Sequence, residues 1–180
     1  MVNREFIQLC SRAWALRILS YLGQGRDARI SPLAHELSTG RTAVTSSMKY
    51  LIELGYVRRT KGHGHPLRPA FELTKKVEIV AVWAIELDAI LAPAQSWGVA
   101  ARTWSLPVMR LTSSAPRFGE LRSELKPVTD RALSQTLKIL ASQKWVSRSV
   151  NAEAAPPEVS YSPCGIGEIL IPCLENSFSL

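Results

Sequence analysis

The sequence has few of the residues that build redox, metal and catalytic sites. Among its 180 residues are three cysteines and three histidines, namely Cys10, Cys164, Cys173, His35, His63 and His65. The cysteines are odd in number and lack CxxC spacing, so neither a disulfide framework nor a zinc site is predicted. The chain also lacks a Ser-His-Asp pattern, a glycine-rich phosphate loop and paired carboxylates in a plausible cleft. We therefore predict a protein that is not an enzyme and needs no cofactor.

Long apolar runs are also missing. The longest candidate, residues 77–83, is interrupted by Glu78, and a membrane span needs about 18 apolar residues. The first five residues, MVNRE, lack the apolar core of a signal peptide. These features predict a cytoplasmic protein without a membrane segment.

The charge that is present is mostly positive. The formal net charge is +7, with 22 Lys and Arg residues against 15 Asp and Glu residues. Residues 1–90 hold 13 cations and 8 anions, whereas residues 91–180 hold 9 and 7. A basic surface attracts polyanions such as nucleic acids, and the first half is the more basic one.

The sequence contains a degenerate internal repeat. Residues 41–60 align with residues 130–149, and Trp14 aligns with Trp104. Other matched pairs are Val44 and Leu133, Met48 and Leu137, Leu51 and Leu140, and Tyr56 and Trp145. The two segments agree in the order, spacing and type of their residues, and this agreement includes a tryptophan in each half and a shared helical pattern. The agreement indicates two related units.

Each unit has the pattern of three helices followed by a β-hairpin. In the first unit, helices are predicted at about residues 10–22, after Ser31-Pro32, and at 41–54, where Gly55 ends the third helix. A hairpin follows, and residues 74–91 form a long closing helix. A helix-turn-helix followed by a hairpin, or wing, is the winged helix-turn-helix.

The predicted fold class is therefore mainly α with small β-hairpin wings (α+β), arranged as two tandem winged helix-turn-helix domains. We place domain 1 at residues 1–91, a linker at 92–101 and domain 2 at 102–180. The linker segment, APAQSWGVAA, is composed mostly of small residues with one proline and one glycine.

The third helix of each unit has a polar face that suits the major groove of DNA. In the first unit this face is predicted to carry Arg41, Thr42, Thr45, Ser46 and Lys49. The opposite face should bury Val44, Met48, Leu51 and Ile52. In the second unit the polar face carries Arg131, Ser134, Gln135 and Lys138. Arginine pairs well with guanine and glutamine with adenine, so these residues are candidate DNA-binding residues.

The two wings differ in charge. Candidate phosphate-binding residues on the first wing are Arg58, Arg59, Lys61, His63 and Arg68. On the second wing only Arg148 is a candidate, and two glutamates lie near it. His63 and His65 alone do not supply enough ligands for a stable metal site, so they are predicted to be polar wing residues.

Residues 102–175 resemble the HxlR-type branch of the winged-helix regulators. The resemblance rests on Trp104, the run Arg117-Phe118-Gly-Glu120-Leu121, the Leu137-Lys138-x-Leu140 pattern, Val159-x-Tyr161 and Gly167. The first unit is more loosely similar to the same family or to the related MarR type, through Trp14, Gly55-Tyr-Val-x-Arg59 and Phe71-Glu-Leu-Thr74.

This resemblance implies a bacterial transcriptional regulator that binds double-stranded DNA in the cytoplasm, associated with the nucleoid. Family members dimerise through terminal helices, which implies a homodimer through residues 75–91 or through the C-terminal helix. Pro107 departs from the family pattern because it is predicted to interrupt helix 1 of the second unit, and Cys10 does not match the family's N-terminal cysteine. The family's oxidant sensing is therefore not carried over to this chain, and no small-molecule effector is indicated.

Two alternatives stay open. A monomer could read two unlike half-sites with its two units, whereas a dimer of chains would read a palindrome. A second functional class comprises plasmid replication or partition proteins and chromosome-segregation proteins. These also use tandem winged domains and act partly as protein-binding scaffolds.

Overall fold

The structure, a computed structural model, describes residues 4–26, 29–60, 70–154 and 157–176. Its contacts divide the chain into two compact units. The first unit is Arg12–Ala89, and the second unit joins Met1–Ser11 to Ile90–Leu180. Both units are mainly helical and contain one small antiparallel hairpin, consistent with a winged helix.

The first unit has four helices and one hairpin within its described residues. They are α2 (Ala15–Gly23), α3 (Ile30–Glu36), α4 (Arg41–Glu53), β1 (Val57–Thr60), β2 (Ala70–Leu73) and α5 (Glu78–Leu91), the last preceded by a 3-10 turn at Lys75–Val77. The strands pair antiparallel, with Val57 opposite Leu73. Apolar residues at helical spacing, such as Leu33 and Leu51, are fully buried between the helices.

The second unit has six helices and one hairpin within its described residues. They are α1 (Arg4–Cys10), α6 (Trp97–Ala100), α7 (Ser105–Leu111), α8 (Phe118–Glu124), α9 (Asp130–Ser142), β3 (Val146–Asn151), β4 (Glu158–Pro163) and α10 (Ile166–Asn176). A 3-10 turn at Thr112–Ser114 follows α7. The hairpin pairs Val146 with Pro163 at its base and Asn151 with Glu158 near its tip.

The N-terminal helix α1 packs in the second unit, although it precedes the first unit in the chain. Phe6 and Leu9 are fully buried, α1 contacts α7, and the Arg110 guanidinium lies 5.4 Å from the centre of the Phe6 ring. The predicted domain 1, residues 1–91, includes residues 4–11, which belong to the second unit in the structure. The physical reason is the apolar face of α1, which is buried on α7. The domain boundaries themselves stay a prediction.

Three local predictions are corrected. The helix expected at residues 10–22 begins five residues later, at Ala15, and Cys10 is instead the last residue of a separate helix, α1. Part of the predicted linker is the short helix α6, whose Trp97 is buried. Pro107 does not interrupt a helix. It lies in the first turn of α7, which begins at Ser105, and the backbone N–H groups of a first turn have no hydrogen-bond partner within the helix.

Among the described residues, the structure contains no helix with the length and apolar character of a membrane span.

Two glycines allow α10 to approach the start of the second wing. Gly165 has a left-handed φ of +53°, which favours glycine. A Cβ atom at Gly167 would overlap the backbone carbonyl oxygen of Trp145 and would lie 2.8 Å from the Met109 Cε atom. Because Trp145 is itself buried, the backbone has little room to yield.

Substitution Gly167→Ala should lower the free energy of unfolding by about 1–3 kcal/mol, because the added methyl group must push the Trp145 backbone. Gly119→Ala is the matched control, since a Cβ at this exposed helical position meets nothing within 4 Å. Alanine there should stabilise the chain by about 0.5–1 kcal/mol. Urea unfolding of both variants measures the difference, and equal effects would contradict the packing described.

Burial also controls the cysteine in α1. Cys10 is a free, buried thiol, and burial raises its pKa above the ordinary value. Only a thiolate reacts readily with oxidants and alkylating reagents, so Cys10 is expected to be inert in the folded chain. Cys164 is also free and is only partly buried.

In native protein at pH 8, iodoacetamide should modify Cys164 at least about tenfold faster than Cys10, because the Cys10 thiol is protonated and covered. In urea both thiols should react at similar rates. Peptide mass spectrometry over time measures the two rates. Rapid modification of Cys10 in the native chain would show that α1 leaves its site readily.

Candidate nucleic-acid interface

Helix α4 is amphipathic and presents one polar face. Its core side carries Val44, Ser47, Met48 and Leu51, all buried. Ile52, which was predicted to be buried, is 38% exposed, because it lies at the edge of the apolar stripe of α4. Ser47 takes an inward position instead.

The five predicted DNA-binding residues of α4 lie on the side of the helix away from the core. Arg41, Thr42, Ser46 and Lys49 are exposed, and Thr45 is half-buried. Their spacing of three and four residues places them next to one another on one helical face. The result is a surface of hydroxyl groups with a cation at each end.

Helix α9 presents a similar face. The Thr129 side-chain oxygen caps it by accepting a hydrogen bond from the Ala132 backbone N–H at 3.2 Å. The predicted residues Arg131, Gln135 and Lys138 are exposed, and Ser134 is half-buried. The buried residues Leu133, Thr136, Leu137 and Leu140 are on the opposite side.

The acidic residue at the start of α9 is paired. Asp130 Oδ1 lies 2.7 Å from Arg122 Nε, which belongs to the preceding helix α8. This pair joins the two helices across their turn and compensates the charge of Asp130. The polar face of α9 therefore presents positive charge without an uncompensated carboxylate at its first residue.

The two arginines of β1 on the first wing differ in their interactions. Arg58 faces Glu72 across the strands, and their side chains form an ion pair of 2.9 Å. Arg59 is exposed on the next position of β1. The predicted residues Lys61, His63 and Arg68, and also His65, lie outside the described residues. Within the described ranges, no cluster of three or more His, Cys, Asp or Glu side chains has an arrangement that could hold a metal ion.

The second wing is anchored to the start of α8 by Arg117. The backbone of Arg117 forms an antiparallel bridge with Ser160, and its Nη1 atom lies 2.6 Å from Glu158 Oε1. The Arg117 backbone N–H also donates a 2.7 Å hydrogen bond to Glu120 Oε2. This hydrogen bond, together with the Arg117 charge, lowers the pKa of Glu120. Arg117 therefore links the helix-turn-helix to the wing.

Sequence reasoning assigned one residue to the second wing, Arg148, which is exposed on β3. It overlooked four serines, Ser147, Ser149, Ser160 and Ser162, which the strand register pairs across the hairpin. The sequence shows that a serine occupies every second position in each strand segment. Which serines face each other depends on the register of β3 against β4, and the predicted strand boundaries did not fix that register.

Comparison with known proteins identifies the second unit. Residues 99–178 match a family described as HxlR-like helix-turn-helix. The structure is similar to a transcriptional regulator of the MarR family from Porphyromonas gingivalis W83, with a TM-score of 0.42, 24% identity, and coverage of 46% of this chain and 81% of that one. It is also similar to a zinc-responsive MarR family member from Lactococcus lactis, with a TM-score of 0.36 and 17% identity. The match covers 71% of this chain and 72% of that one.

No curated protein matches the chain. The family match covers the whole of α7, α8, α9 and the second hairpin. Residues 99–178 are thus an HxlR-like helix-turn-helix domain, as the sequence resemblance implied.

Proposed function

We propose that the chain is a transcriptional regulator that binds double-stranded DNA sequence-specifically through two tandem winged helix-turn-helix domains. The observation that carries this proposal is the HxlR-like domain at residues 99–178, whose helix α9 exposes Arg131, Gln135 and Lys138. Regulators of the HxlR and MarR type act by binding DNA and are generally not enzymes. The family match gives no support to the replication and segregation alternatives.

A repeated local geometry supports the tandem arrangement. Helices α4 and α9 both have 13 residues. Each is followed by a residue with left-handed φ, +73° at Gly55 and +56° at Lys144. The next residue donates its backbone N–H five residues back, from Tyr56 to Leu51 and from Trp145 to Leu140, both at 2.9 Å.

The residues that precede α2 and α7 also support the tandem arrangement. Trp14 precedes α2 with φ −103° and ψ −6°, and Trp104 precedes α7 with φ −101° and ψ −6°. Two tryptophans in the same backbone conformation at the same point of the element order favour duplication of one unit.

In this proposal α4 and α9 are recognition helices, each of which enters a major groove. A helix of 13 residues is about 20 Å long, and the major groove is about 12 Å wide. Arg131 and Gln135 would read guanine and adenine edges, whereas Arg41, Lys49 and Lys138 would contact phosphates or guanine. Hydroxyl groups of Thr42, Thr45, Ser46 and Ser134 would contact phosphates or base edges.

The first wing would supply most of the phosphate contacts. Arg59 is exposed and is the leading candidate among the described residues, whereas Arg58 would have to leave Glu72 or share it. Lys61, His63 and Arg68 complete the proposed set, and Arg148 is its single member on the second wing. A regulator of this kind would act at the nucleoid in the cytoplasm.

The proposal predicts a sharp DNA motif when purified protein selects from random duplexes at moderate and raised salt. Gln135→Ala should weaken binding to the selected site about 5- to 150-fold and relax the preference at one base pair, because a bidentate base contact is lost. Gln143→Ala is the control, since Gln143 is also exposed and lies just beyond α9. Motif-free binding that disappears with salt would overturn the proposal.

A homodimer is also proposed, as is typical of MarR-family regulators. On α5, Ile79 is 62% exposed and Val82 is 57% exposed, three residues apart on one face. On α10, Ile169 is 62% exposed. Two adjacent apolar side chains favour α5 as the self-complementary contact over α10.

The double variant Ile79→Glu with Val82→Glu should convert a dimer to a monomer, because carboxylates would be buried in the contact. Light scattering at micromolar concentration gives the mass. Ile169→Glu is the matched control and should leave the dimer intact. Loss of the dimer in Ile169→Glu alone would assign the contact to α10. A wild-type chain of monomer mass would favour the two-unit monomer, which reads two unlike half-sites.

A further inference from the structure

The second wing has one face made almost entirely of hydroxyl groups. The register of β3 and β4 places Ser147 opposite Ser162 and Ser149 opposite Ser160. Side chains on a strand alternate between faces, and directly paired residues share a face. The four serines therefore form two adjacent cross-strand pairs on one side of the hairpin, which we call the serine ladder.

Both faces of the hairpin are exposed toward its tip, where Arg148 is exposed and Val150 is 50% exposed, but only the serine ladder is also open toward the base. The other face begins with Val146, which is buried in the unit, and continues with Arg148 and Val150. Ser147 and Ser149 are exposed, and Ser160 and Ser162 are half-buried. A partner could therefore approach the ladder from the base of the hairpin toward its tip, whereas the base of the Arg148 face is covered by the core.

The one acidic residue on the ladder face is neutralised. Glu158 pairs with Asn151 at the end of the ladder, and its carboxylate is held 2.6 Å from the Arg117 guanidinium. The same arginine fixes the neighbouring backbone through its bridge to Ser160. The ladder is thus a row of neutral hydrogen-bonding groups on an anchored strand, and the charge of Glu158 at its end is compensated by Arg117.

Strand stability does not explain this choice of residue. Exposed strand positions are usually filled by threonine, valine, isoleucine or aromatic residues, which pack well on a pleated surface. Four serines in two adjacent cross-strand pairs give up that packing while keeping hydroxyl groups that donate and accept hydrogen bonds. The Ser147 hydroxyl donates a 3.4 Å hydrogen bond to the Ser162 carbonyl oxygen within the hairpin, whereas the pair Ser149 and Ser160 is better explained by a polar partner.

We infer that the serine ladder is the DNA-contacting face of the second wing, and that it binds phosphate and sugar oxygens through neutral hydrogen bonds. The inference rests on the proposed function and replaces Arg148 as the principal contact of this wing. Phosphate contacts are commonly made by serine and threonine hydroxyls as well as by cations. The two wings would then differ in chemistry, because the first wing acts through charge and the second through hydroxyl groups.

The difference appears in the salt dependence of binding. Loss of a cation that neutralises a phosphate lowers the slope of log affinity against log salt by about one, whereas loss of a neutral hydrogen bond does not change the slope. Affinity for the selected duplex should be measured by fluorescence anisotropy over a series of salt concentrations.

The test variant is Ser149→Ala with Ser160→Ala, one cross-strand pair of the ladder. It should bind about tenfold more weakly at every salt concentration with an unchanged slope. The conservative pair Ser149→Thr with Ser160→Thr keeps both hydroxyls and should bind within about twofold of wild type. Val150→Thr, on the opposite face, is the matched control and should have no effect. Thermal unfolding of each variant verifies that the hairpin is intact.

Wild-type affinity in the alanine pair, together with weaker binding and a smaller slope in Arg148→Ala, would show that the opposite face meets DNA and would overturn the inference. Equal losses in the threonine and alanine pairs would show that strand geometry matters rather than the hydroxyls, and would also overturn it. If the wild-type chain selects no motif, the proposed function fails first, which is a different result from failure of the ladder alone.

Discussion

The chain reversal after the third helix of each unit is the constraint on which the rest of the interface depends. A left-handed residue ends the helix, and the next residue, Tyr56 or Trp145, returns its backbone N–H to the last turn. Both aromatic side chains are almost fully buried. This motif fixes the first wing strand relative to the helix, so the polar helical face and the hairpin are presented as one surface.

Two exposed ion pairs join elements of the second unit. Arg117 joins the start of α8 to β4, and Arg122 joins α8 to Asp130 of α9. Each pair is exposed and contributes little free energy by itself, since surface ion pairs are worth about 0–1 kcal/mol. Their importance is geometric, because they orient the helix-turn-helix and its hairpin relative to each other.

Much of this organisation could be predicted from local sequence. The apolar spacing of α9, its Thr129 cap and the hairpin after Trp145 are local signals, and all three agree with the structure. Helix α1 was missed because seven residues make a weak pattern and its partner α7 lies far along the chain. The serine ladder was missed because a shift of one residue in register changes which side chains share a face.

The placement of α1 also has a consequence for how the chain is made. A ribosome synthesises α1 before the first unit, yet its binding surface on α7 is encoded about 95 residues later, which corresponds to roughly 5–20 s of synthesis. During that interval the first unit is completed while Phe6 and Leu9 have no site. The second unit can close only after α7 has emerged, so α1 is made before the first unit but finds its place after that unit is complete.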